Sequence, residues 1–169
     1  MGLQVTTVDS HPTIRLMQDK AQWNEWGFLD YSIINPKITS TNIDFSQYKT
    51  NERFDCIYSI SVIEHMPKKI RLGVLKKAAT LLRKGGALLL TIDLIPNTDN
   101  LWNLSEDKEV EPLNIHGDID SFRKELLLYG FQIEKEHVQR NIYKSRTDLL
   151  FIHAVLKNKK NWLSSLLSK

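Results

Sequence analysis

The sequence predicts an α/β fold in which the main strands run parallel and the last two pair antiparallel. Three observations carry that prediction. The run from Phe54 to Ser59 is nearly continuous in apolar residues, the mark of a strand covered on both faces. Residues 67–84 turn to helical spacing, and Ala87 to Ile92 is a second apolar run. Strand, helix, strand at this distance is a βαβ unit with parallel strands. Residues 131–138 and 149–156 then read as two strands joined by a polar connection, an antiparallel pair.

In chain order, residues 3–8 alternate loosely and are rich in β-branched types, which gives a strand ending at Asp9. Ser10 and Pro12 suit the cap and first turn of a helix along which Ile14, Met17 and Ala21 recur, with Gly27 as its stop. Residues 37–44 read as a second, weaker strand running into a polar loop. Within 67–84, Leu72, Leu75, Ala79 and Leu82 form a stripe flanked by Val74, Ala78 and Leu81, with lysines and arginines opposite. Gly85-Gly86 is expected to end that helix. Residues 94–117 have no clear period and hold Pro96, Pro112 and a lone Trp102; loops of this length in a compact domain are usually functional or disordered. Asp118 or Asp120 caps a short helix with Phe122, Leu126 and Tyr129 on one face, ended by Gly130. Residues 1–156 thus read as one domain and 157–169 as a basic tail, expected to be solvated and frayed.

Composition bounds what the chain can be. At 169 residues it is long enough for one real core. A net charge of +3 with scattered basic residues leaves no footprint for specific nucleic-acid binding. No run reaches the roughly 20 apolar residues that span a bilayer, and no basic-then-apolar export signal opens the chain, so a cytoplasmic location is expected. The single cysteine, Cys56, is expected as a small buried core residue. With one cysteine and no spaced His/Asp cluster, no metal site is read.

Ligands of open α/β sheets bind outside the carboxyl ends of the parallel strands. Asp9 follows the first strand, where a carboxylate can accept from both hydroxyls of a ribose; the alternative is an acid favoured by a helix N-terminus. Asp44-Phe45 follows the second, where the acid can accept from an adenine amino group and the ring can pack on the base; the alternative is a turn acid beside a core phenylalanine. Ser59, Ile60 and Ser61 follow the third and offer backbone groups and small side chains. His65, in the Glu64-His65 pair, is a candidate general base near neutral pH, or else the pair orients the loop and caps the helix. His116 is a second candidate base. His11, His137 and His153 carry no pattern.

Taken together, these features resemble the class I S-adenosylmethionine (SAM)-dependent methyltransferase superfamily, in its ubiquinone/menaquinone-biosynthesis-type branch, from Val5 to about Leu156. The run from Phe54 to His65 is similar to the family's fourth strand and its Glu-His loop. Arg83-Lys84-Gly85-Gly86 is similar to the turn before the fifth, with Lys84 where many members have proline. Val5 to Asp9 resembles the second strand, Ile43-Asp44-Phe45 the acidic segment facing adenine, and Leu126 to Phe131, ending Tyr-Gly-Phe, the helix that leads into the last two strands.

The resemblance implies a Rossmann-like sheet and SAM as cofactor, held by Asp9, Ser10, Asp44, Phe45, Ser59 and Ile60. It also implies in-line transfer of a methyl group to a small-molecule acceptor. The Asn/Asp-Pro-Pro-Tyr motif for amino acceptors is absent at Ser59 to Val62, which favours oxygen or carbon; His65 or His116 serves only if the acceptor loses a proton. The seven glycines include no Gly-x-Gly, so the family's first strand and glycine loop are expected to be missing. The chain then reads as a fragment, a product of a misplaced start, half of a complementing pair, or a degenerate relative that has lost catalysis. Two other functions stay open. A nicotinamide-dependent oxidoreductase would use Asp9 for its ribose, without the glycine fingerprint or a Tyr-x-x-x-Lys pair. A non-catalytic module would act through unpaired strand edges and the tail, as a homo-oligomer or with a complementing chain.

Overall fold

The computed structural model describes residues 2–11, 28–105, 108–142 and 147–157. The chain divides into two units, residues 1–51 and 52–169. The helix expected up to Gly27 and the basic tail beyond Lys157 lie outside the described residues. No helix among the described residues is long and apolar enough to cross a membrane.

In the first unit, β1 (Val5–Asp9) runs parallel to β2 (Ile38–Asn42), with Val5 opposite Ile38 and Asp9 opposite Asn42. β-branched residues fill both strands, as a pleated, half-covered surface favours. A hydroxyl bond from Thr7 Oγ1 to Ser40 Oγ (3.0 Å) ties them. A 3-10 turn, Tyr31–Ile33, precedes β2 and is capped by Asp30, whose carboxylate accepts from the Ser32 amide.

The second unit contains β3 (Phe54–Ile60), α1 (Lys68–Leu81) and β4 (Leu82–Leu94), then the two-residue strands β5 (Leu104–Ser105) and β6 (Lys108–Glu109). It continues through α2 (Leu113–His116), α3 (Ile119–Leu128), β7 (Phe131–Ile142) and β8 (Thr147–Leu156). Its main sheet has the order β3-β4-β8-β7. β3 and β4 are parallel, while β8 is antiparallel to both of its neighbours. The βαβ unit and the antiparallel closing pair are therefore as the hydrophobic pattern predicts. Along β4, Leu88, Leu90, Ile92 and Leu94 are buried while Leu89 is exposed. They form the core with Leu75 and Ala78 of α1, Phe122 and Leu126 of α3, and Leu150, Ile152 and Ala154 of β8. Asp118 caps α3 by accepting from the Ser121 amide, and Ser121 returns a bond from the Asp118 amide. Gly130 follows at φ +84°, a left-handed stop that glycine adopts without a Cβ penalty.

Three expectations need correction. β3 is not covered on both faces: Tyr58 and Ile60 are 59% and 64% exposed, and Cys56 is exposed rather than a core residue. Among the described residues β3 lies at the edge of its sheet, bonded to β4 alone. Second, α1 stops at Leu81, before Gly85-Gly86, because Leu82 is already extended and pairs with Phe54. The glycines serve a bulge instead. Pairing jumps from Phe54–Leu82 to Cys56–Ala87, and Gly85 turns the extra residues at φ +76°. A Cβ on Gly86 would sit 2.9 Å from the Arg83 carbonyl oxygen and 3.2 Å from that of Asp55. Gly86→Ala is therefore expected to cost about 1–3 kcal/mol of unfolding free energy by urea denaturation; an unchanged midpoint would show that the bulge opens freely. Third, Arg71 does not share the solvent side with the lysines: it is fully buried.

Candidate functional site

In the first unit the carboxyl ends of the two parallel strands bring Asp9 and Asp44 to one end of the sheet. Asp9 stands opposite Asn42, and its carbonyl accepts from the Ile43 amide at 3.0 Å. Its Oδ1 accepts from the His11 amide (2.8 Å) and lies 2.7 Å from His11 Nδ1. The Asp9 side chain is 39% exposed, so its carboxylate reaches solvent while Oδ1 is oriented. Two residues beyond β2, Asp44 Oδ1 accepts from the Ser46 hydroxyl (2.5 Å) and amide (2.7 Å). These two bonds, the hydroxyl's first, hold the Asp44 carboxyl below the usual carboxylate range. Asp44 is thus an anion that also builds its own turn. Phe45 beside it is half-buried, and Ser10 is exposed.

The second unit carries the other candidates. Ser59 is half-buried and Ile60 exposed at the end of β3. Ser61, next in line, has φ +47°, a left-handed conformation uncommon for serine. Its amide donates to the carbonyl and the hydroxyl of Thr91, each at 3.0 Å, and its own hydroxyl donates to Asp93 Oδ1 at 2.9 Å. This clamp turns the chain out of β3 into a 3-10 turn, Ile63–His65.

Glu64 in that turn is wholly buried. Its Oε1 accepts from the Asp93 amide (2.9 Å), and its Oε2 is buried without a hydrogen-bond partner among the described residues. Burial, the largest cause, pushes its carboxyl up to about 8 against the lowering effect of the Asp93 amide. His65 Nε2 lies 3.8 Å from Glu64 Oε1, and the His65 side chain is 29% exposed. The fold therefore assembles Glu64, His65 and Asp93, with donor atoms within 4.8 Å of one another. Asp93 escaped the sequence reading because it belongs to β4; its only signal was its place at the end of a parallel strand.

His116 is set differently. Its ring is fully buried. Nε2 donates to the carbonyls of Glu64 (2.8 Å) and Trp102 (3.0 Å), while Nδ1 faces Glu111 Oε2 at 3.1 Å. Both ring nitrogens are engaged, and no lone pair faces solvent. Beneath it, Arg71 donates to both Glu125 oxygens at 2.8 Å and to the His116 carbonyl at 2.6 Å, with its guanidinium 5.8 Å from the Phe122 ring centre. Glu111 Oε2 also takes the first amide of α1, from Lys68, at 2.6 Å. This buried network fixes the Glu-His turn onto α1 and α3. Sequence reading missed it, although Arg71 shares the helical spacing of Leu75 and Ala78. His137 stacks on Phe151, ring centres 6.4 Å apart.

Comparison with known proteins follows this geometry. Residues 8–149 match a family model described as a methyltransferase domain. Among solved structures, the chain is similar to the N-methyltransferase NodS from Bradyrhizobium japonicum WM9 in complex with S-adenosylhomocysteine (SAH). The TM-score there is 0.57 at 14% identity, over 92% of this chain and 67% of that one. It is similar to the Burkholderia thailandensis 1,6-didemethyltoxoflavin-N1-methyltransferase with bound 1,6-didemethyltoxoflavin and SAH (TM-score 0.64, 11% identity, 90% and 71%). It is also similar to the glycopeptide N-methyltransferase MtfA complexed with SAM (TM-score 0.53, 16% identity, 73% and 62%). The chain thus spans about two thirds of these neighbours, whose likeness at such identity is one of fold. No curated protein sequence matches it.

Proposed function

We infer, because the chain belongs to the methyltransferase-domain family of the class I SAM-dependent superfamily, that it binds SAM and transfers the methyl group to a small-molecule acceptor. The observation that carries this reading is the pair of acids at the carboxyl ends of β1 and β2. Their donor chemistry fits the cofactor. Asp9, oriented by His11 and open to solvent, suits the ribose hydroxyls. Asp44, held as an anion by Ser46 beside Phe45, suits the adenine amino group and the base. Ser10 joins them in the first unit, while Ser59 and Ile60, in the second, are proposed on the sequence resemblance alone.

SAM, when bound, supplies an electrophilic methyl group on a sulfonium. The chain's own residues then bind, align and exclude water, so the rate derives mainly from positioning. We favour an oxygen or carbon acceptor. The Asn/Asp-Pro-Pro-Tyr motif is absent after β3, and His65, whose side chain is partly exposed although its Nε2 is buried, is the base proposed for an acceptor proton. His116 lacks that access and serves the turn instead. The neighbours named as N-methyltransferases argue for the fold and leave this choice open.

The test is transfer from methyl-labelled SAM to a panel of phenols, alcohols, carbon acids and amines. Label in an oxygen or carbon acceptor is expected, with His65→Ala lowering kcat/KM for hydroxyl acceptors by about a hundredfold. Label in amines alone contradicts the acceptor assignment. No transfer by a chain that binds SAH contradicts catalysis.

A further inference from the structure

We propose that Glu64, His65 and Asp93 form a binding site for one divalent transition-metal cation. All three residues lie in the second unit, so the proposal does not depend on the cofactor acids Asp9 and Asp44; a metal there would occupy the His65 lone pair that the proposed base would otherwise use. Their donor atoms fall within 4.8 Å of one another. A set of one imidazole and two carboxylates suits Zn2+, Mn2+, Fe2+ or Co2+ better than Ca2+.

A second observation points to a ligand. Glu64 is fully buried, one oxygen accepts from the Asp93 amide, and the other is buried without a hydrogen-bond partner among the described residues. A buried carboxyl oxygen without a partner is costly, and native interiors hold few of them; a metal ion would take this one as the carboxylate, displacing the proton that burial favours in its absence. The buried cation below cannot serve it, because the Arg71 guanidinium is committed to both oxygens of Glu125. A metal ion within the cluster would satisfy the orphaned oxygen.

The surroundings are those of a held ligand set. The Ser61 hydroxyl donates to Asp93 Oδ1, and His116 clamps the Glu64 carbonyl. Outer hydrogen bonds of this kind orient metal ligands. Three protein ligands leave coordination positions open, and His65 Nε2 is buried 3.8 Å from Glu64 Oε1, inside the cluster.

The experiment is a Co2+ titration of the full chain, followed by visible absorption and by competition with Zn2+. One equivalent of Co2+ displaced by Zn2+ is expected. Glu64→Gln and Asp93→Asn should each weaken binding by about tenfold or more, with folding checked by circular dichroism. His11→Ala, which removes the histidine beside Asp9, should leave binding unchanged. If Glu64→Gln does not fold, the partly exposed His65→Ala carries the test, since its loss removes a ligand without uncovering the core. A folded wild-type chain that takes up no Co2+ overturns the proposal. So does binding that survives both ligand variants, or that is lost with His11→Ala.

Discussion

Replacing Arg71 with alanine is expected to lower the unfolding free energy by about 3–5 kcal/mol, the cost of breaking a buried ion pair from one side. Arg71 is fully buried, and Glu125, its bidentate partner, is 4% exposed. Removing the guanidinium leaves that buried carboxylate without its hydrogen-bonding partner, with the Lys68 ammonium 3.8 Å from its Oε1. It also releases the His116 carbonyl, and with it the ring that holds the Glu64 and Trp102 carbonyls. Lysine cannot replace the planar fork that takes both oxygens at once, so Arg71→Lys should recover only part of the loss. The double variant Arg71→Ala/Glu125→Ala should cost less than the sum of the single changes, since neither charge is then left alone. Urea denaturation of the wild type, Arg71→Ala, Arg71→Lys, Glu125→Ala and the double variant measures this directly. Additive losses would show that the pair is not coupled.

The second large effect is the pH dependence set by Glu64. Its carboxyl is raised from an ordinary 4.5 to about 8, chiefly by burial. In the interval between those values the folded chain keeps a proton that the unfolded chain has released. Folded stability must therefore fall as pH rises from about 4.5 towards about 8, and level off above. In chelator-containing buffer, unfolding midpoints should decline across this window. Glu64→Gln keeps an acceptor for the Asp93 amide and carries no titratable group. It should remove this contribution and exceed the wild type in stability near the upper end. Parallel slopes for the two proteins would place the pH dependence elsewhere.

These residues show what a sequence can and cannot reveal. Periodicity placed β2, α3, β7 and β8 within a few residues, because period and turn chemistry are local properties. The same signal misled at β3. An apolar run from Phe54 to Ile60 is compatible with a covered strand and with an edge strand showing Tyr58 and Ile60 to solvent. Only the neighbours decide between them. Gly85-Gly86 was legible as a break, yet a break can end a helix or turn a bulge, and Leu82 pairing with Phe54 selected the bulge. Asp9, Asp44 and His65 were visible because each follows a strand. Asp93 and Arg71 were not, since their importance lies in partners 29 and 54 residues away.

The measurement that bears most directly on the cofactor assignment is a calorimetric titration of the full chain with SAH, repeated on Asp9→Ala and Asp44→Ala. Each lost charge-assisted bond is worth about 1.5–3 kcal/mol, about tenfold or more in Kd. Micromolar binding by the wild type, weakened to that extent in each folded variant, is the expected result. A folded chain that does not bind SAH, or that binds it equally well without either carboxylate, would contradict the account.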